Sequence, residues 1–176
     1  MNMPVALLDE FLCVLESSPI AIDALLRDLS DSWTSCTEGP DTWSPCMVIS
    51  HLIHAERVDW MPRLAIILEH GASRTFDPFD RDPELGQAQG QAISSLLDEF
   101  SRLRRANLGR LRELNLQPDQ LDLHGLHPAL GLVTVRQLLA TWTAHDLAHI
   151  LQISRVMAKR LKPEVGPWAE YLSVMR

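Results

Sequence analysis

Apolar residues return every three or four positions through four long stretches of this chain, and no segment alternates convincingly at period two. That spacing predicts helices. The first spans residues 4–29, with Leu8, Leu12, Leu15, Ile22, Leu25, Leu26 and Leu29 on its stripe; Ser18 and Pro19 predict a kink or restart inside it. The second starts at Ser44, a cap, with Pro45 at the first helical position. Val48, Leu52, Ala55, Val58, Ile66 and Ile67 form its apolar face, Pro62 should bend it, and Gly71 ends it.

The third helix is expected over residues 87–114, with Ile93, Leu96, Leu97, Phe100, Leu103, Leu111 and Leu114 facing inward. The fourth runs over residues 134–161, capped by Thr134 and closed by Pro163 and Gly166, and a short amphipathic tail follows over 167–175. Residues 72–86, where the composition turns to Pro, Asp, Arg and Phe, and 115–132, with Pro118, Gly125, Pro128 and Gly131, read as long irregular connections. Long helices without strands or repeats predict an all-α fold: a four-helix bundle with long inter-helix loops and a short C-terminal helix, as one domain over residues 1–176.

The net charge of −7 argues against a nucleic-acid surface, which needs a dense basic patch. Arg102, Arg104, Arg105, Arg110 and Arg112 are interspersed with Asp98, Glu99 and Glu113, the pattern of a solvated helix face. No run approaches the roughly 20 apolar residues of a membrane helix. The first residues carry acids where a secretory leader carries basic residues, so a cytoplasmic protein is expected. The cysteines, Cys13, Cys36 and Cys46, fit neither a disulfide framework nor a thiolate metal site; Cys46, just inside a helix start, reads as buried packing.

The chemistry-bearing segment is TWTAHDLAHILQI. His145 and His149, four apart, share one helix face and can reach one metal ion at about 2.0–2.1 Å each. Such a pair arises by chance in about a quarter of sequences with this histidine content, so its setting matters more than its spacing. Val135, Leu138, Trp142, His145, His149, Gln152 and Val156 form one continuous stripe, which turns both imidazoles toward the core. On the second helix His51, flanked by Val48, Leu52 and Ala55, looks inward, whereas His54 falls nearer the polar edge. His70 reads as a helix C-terminal cap, and His124 and His127 as loop residues. From the residues alone two arrangements stand: a metal held by these imidazoles, or a buried hydrogen-bond cluster of His with Gln or with Asp146 or Asp59 as acceptor.

At these motifs the sequence resembles the DinB-like (DinB/YfiT) family of metal-binding four-helix bundles. The resemblance rests on WSPCMVISHLIHAERVDW, on LGLVTVRQLLATWTAHDLAHILQISRV and on the tail VGPWAEYL, and covers nearly the whole chain. It implies a three-histidine site of His51, His145 and His149 with the remaining positions open to water or substrate, zinc or nickel as the ion, and a homodimer. Characterised relatives include thiol-dependent enzymes, bacillithiol S-transferases and a mycothiol-dependent maleylpyruvate isomerase, which implies a small-molecule substrate or low-molecular-weight thiol as partner. Asp146, Gln152 and Asp59 are candidates to support the ligands from behind.

Two functions are therefore in view. One is a metal-dependent enzyme, a thiol-dependent transferase or a hydrolase acting on a small molecule. The other is a non-enzymatic metal-binding bundle with a ligand-binding or stress-related role.

Overall fold

The computed structural model describes residues 3–80 and 91–175. Its helices are α1 (Met3–Leu26), α2 (Asp31–Thr34), α3 (Pro45–Val58), α4 (Trp60–His70), α5 (Ile93–Glu113), α6 (Val135–Arg160) and α7 (Lys162–Val165). The bundle consists of α1, the α3–α4 pair, α5 and α6: α1 and α3 each lie against both α5 and α6. Leu15, Leu26, Val48, Ile49, Leu64, Leu97, Phe100, Val135 and Ile153 are fully buried between them.

No restart occurs at Pro19; α1 runs through it. Proline cannot donate to the carbonyl four residues back, which here belongs to Leu15. Nη1 of Arg104 donates to that oxygen instead, at 2.8 Å. The helix ends at Leu26, short of Leu29. In the second long segment the discontinuity lies at Asp59 (φ −105°, ψ −72°) rather than at Pro62. Pro62 then falls in the first turn of α4, where a missing N–H costs little. Ser44 caps α3 through the Met47 N–H, and Gly71, at φ 57°, ends α4.

The third helix begins at Ile93, with Ala92 as its N-cap. The expected start over residues 87–90 lies outside the described residues. Within α5, Arg104 is buried to 1% exposure, which corrects its reading as part of a solvated face.

The expectation of no strands is also corrected. β1 (His124–His127) pairs antiparallel with β2 (Gly131–Thr134), His124 opposite Thr134 and His127 opposite Gly131. Strands of four residues are too short for a period-two pattern to show. Phe76 N–H donates to the Leu126 carbonyl at 2.9 Å, and Gly125 permits the close approach. A Cβ there would lie 2.6 Å from Ile67 Cγ1 and 2.7 Å from the Phe76 ring. The hairpin delivers the chain to Thr134, whose side chain caps α6 in a reciprocal box with Gln137. The short C-terminal helix is α7, and the tail after it forms 3-10 turns (Gly166–Tyr171 and Ser173–Met175). No helix among the described residues is long and apolar enough to cross a membrane.

Candidate metal centre

His51 comes from the middle of α3, and His145 and His149 from successive turns of α6. The structure brings the three together. His145 Nε2 lies 3.0 Å from His51 Nε2 and 3.1 Å from His149 Nε2, and one ligand atom from each ring falls within 4.8 Å of the others. Ring nitrogens bonded to one ion at about 2.0–2.1 Å stand roughly 2.9–3.4 Å apart for angles between right and tetrahedral. The two short separations match that range.

The proton count points the same way. Gln152 Oε1 accepts from His149 Nδ1 at 2.8 Å, which puts that ring's proton on Nδ1 and leaves the Nε2 lone pair facing its neighbours. Burial pushes the His149 imidazole below its usual range, against the opposing pull of Gln152 and Asp146, and so favours the neutral ring a cation needs. A proton on His145 Nε2 serves one neighbour well; a divalent cation serves lone pairs from all three rings.

Aromatic rings hold the imidazoles in place. Trp43 stacks parallel to His149 at 6.3 Å and leans over His51 at 5.0 Å. Phe79 meets His51 edge-on at 5.7 Å, and Trp60 meets His145 edge-on at 5.2 Å. Trp60 in turn stacks on Trp142 at 5.8 Å.

Of the carboxylates expected behind the ligands, Asp146 is fully buried and forms a bidentate pair with Arg104 (Nη1–Oδ2 2.5 Å, Nη2–Oδ1 2.9 Å). Arg104 also binds Glu56 Oε1 through Nη2 at 2.7 Å, and Trp142 Nε1 donates to the same oxygen at 3.0 Å. Asn107 Nδ2 reaches Glu56 Oε2 at 2.9 Å. This buried network ties α3, α5 and α6 together just beneath the imidazoles. Asp59 pairs with Arg63 at 2.5 Å, and burial pushes its carboxyl up against the pull of Arg63 and His54. His54 turns away, with Nε2 bonded to the Asp80 carbonyl at 2.9 Å.

A cavity of about 630 Å³ opens from the three histidines, a volume that suits a small molecule. Trp43, Trp60, Phe76, Phe79, Leu138 and Val133 give it an apolar wall, and Asp59, Arg63, His127, Gln137 and Thr141 add polar groups.

A family model described as the DinB superfamily matches residues 15–153. The chain belongs to the DinB superfamily. No curated protein matches it. Among solved structures this DinB-superfamily chain is similar to YfiT from Bacillus subtilis, described as a probable metal-dependent hydrolase with an unusual four-helix bundle topology. The likeness has a TM-score of 0.76 at 21% identity, covers 88% of this chain and 87% of that one, and is a likeness of fold.

Sequence reasoning in this DinB-superfamily protein missed the wall of the site. Trp43 and Phe79 sit in connections with no periodic pattern; Trp43 opens the motif WSPCMVISHLIHAERVDW, and only bulk beside polar loop residues could have marked Phe79. Arg104 and Glu56 were hidden by their charge, which on a helix ordinarily marks a solvated face.

Proposed function

We propose that this protein is a metal-dependent enzyme acting on a small molecule, with one divalent ion, zinc or nickel, held by His51, His145 and His149. The observation that carries the reading is the convergence of three imidazole nitrogens at one mouth of an apolar cavity. Three protein ligands leave room for water or substrate, the arrangement of catalytic rather than structural sites. A divalent ion there supplies Lewis acidity and favours the deprotonated form of water or a thiol at neutral pH. The chain's own residues do the rest: Gln152 fixes the tautomer of His149, and Trp43, Trp60 and Phe79 orient the rings and exclude bulk water. The reaction is transfer to a low-molecular-weight thiol or hydrolysis.

Within this proposal the protein is a cytoplasmic homodimer. Exposed Leu147 and Leu151 on α6 and Trp168 and Tyr171 in the tail offer apolar surface for a second copy, which light scattering tests. The function is tested by purifying the untagged protein, measuring bound metal, and assaying a panel of thiols and ester substrates. One equivalent of metal with thiol-dependent or hydrolytic turnover supports it. Stoichiometric metal with every reaction silent favours a non-enzymatic binding protein, and no retained metal removes the site altogether.

A further inference from the structure

The cavity has a second polar end, remote from the histidines. Along α6 its lining residues run from His149 and His145 through Thr141 and Leu138 to Gln137. Gln137 lies eight residues before His145, which is about 12 Å along the helix. Arg63 and His127 stand beside the Phe76 ring: the Arg63 guanidinium carbon is 5.4 Å from its centroid, and the His127 ring meets it edge-on at 6.2 Å.

Both side chains are fixed and both present donors. Arg63 has a side chain only 12% exposed, and its Nε faces Asp59 at 2.5 Å. Its terminal guanidinium nitrogens have no protein acceptor among the described residues. His127 Nδ1 accepts from the Ala129 and Leu130 N–H groups, each at 3.1 Å. The ring proton therefore sits on Nε2, for which the described residues supply no acceptor. A guanidinium with one edge held and its other nitrogens presented matches a planar oxyanion.

We infer that the cavity takes an extended substrate whose carboxylate is held by Arg63 and the Nε2–H of His127, with an apolar body along the aromatic wall and the reacting group at the three histidines. The inference rests on the proposed function for its reacting end only. Asp59 pairs with the Nε side of the guanidinium, and Arg63 lines the cavity. Gln137, whose Oε1 is taken by the Thr134 N–H at 2.9 Å, adds an amide donor at the same end.

The test uses the full chain and three eight-carbon probes: octanoate, octan-1-ol and 8-mercaptooctanoate. Binding is read by the change in intrinsic tryptophan fluorescence, since Trp43 and Trp60 line the cavity, and by calorimetry. In the metal-free protein octanoate should bind at least about tenfold tighter than octan-1-ol, as a charge-assisted contact to a half-buried guanidinium allows. Arg63→Met should reduce that preference to within about twofold, and His127→Phe should reduce it in part. Should Arg63→Met fail to fold, by circular dichroism, Arg63→Lys keeps the charge without the fork and should retain only part of the preference. Equal binding of octanoate and octan-1-ol by the wild type, or a preference undiminished in the foldable Arg63 variant, overturns the inference. In metal-loaded protein 8-mercaptooctanoate should bind tighter than octanoate, and His145→Ala should erase only that gain. A carboxylate preference without the thiol gain upholds this inference and counts against the metal reading.

Discussion

Arg104 donates through Nη1 to the Leu15 carbonyl at 2.8 Å, the carbonyl that Pro19 leaves without its helical donor. One guanidinium thus repairs α1 and holds Glu56 and Asp146 from α3 and α6. Arg104→Met should cost about 3–5 kcal/mol, because it leaves two buried carboxylates uncompensated. Urea denaturation measures the loss. The triple change Arg104→Met, Glu56→Gln, Asp146→Asn should recover part of it, and no recovery would place the cost in packing instead.

Gln152→Leu should leave the fold intact while metal affinity falls by about 10–100-fold, because His149 loses the acceptor that fixes its tautomer. Competition against a fluorescent chelator reads this directly. An unchanged affinity would mean that packing against Trp43 alone orients the ring.

His145→Ala should abolish stoichiometric metal, whereas His54→Ala should retain it, since His54 bonds to the Asp80 carbonyl away from the cluster. Elemental analysis of both variants gives the comparison.

His127 supplies a pH prediction. Burial, with Arg63 nearby, holds its imidazole below the usual range. A histidine with a depressed pKa binds fewer protons folded than unfolded, so its contribution is present above the unfolded pKa of about 6.5 and is lost as pH falls below it. Protonation of Nδ1 also ends its acceptance from Ala129 and Leu130. Amide exchange at those residues, corrected for intrinsic rates, should accelerate as pH falls below about 6.5. A flat profile in His127→Asn would tie the effect to this ring.

Gly125→Ala should destabilise the protein by about 1–3 kcal/mol, since the new methyl meets Ile67 and Phe76 at distances that side chains do not tolerate. Thermal melts measure it, and a shift in Phe76 should also reduce octanoate binding.

The helices were legible because their apolar stripes are long, and the convergence of the histidines because His145 and His149 interrupt such a stripe without changing its phase. What was not legible depends on contacts between distant segments. Arg104 looks solvated until Leu15, Glu56 and Asp146 surround it. Pro19 looks like a breaker until a guanidinium from another helix replaces its missing donor. The hairpin leans on Phe76 and Ile67, and nothing in the four residues of each strand announces that support. Asp59 and Arg63 lie on the expected second helix, but their place in the cavity wall follows from the break at Asp59, three residues before the proline that suggested it.

That break divides the labour of one helical segment. The part before Asp59 carries His51; the part after it carries Trp60, which meets His145, and Arg63, and lies against both α6 and the hairpin. On the proposed function, changes at Arg63 or in the hairpin would alter which molecules are admitted while leaving His51 and Trp60 in place. On the proposed function, a single discontinuity would give selection, or an engineer, a place to exchange substrates at one end of the cavity while the histidine end stays as it is.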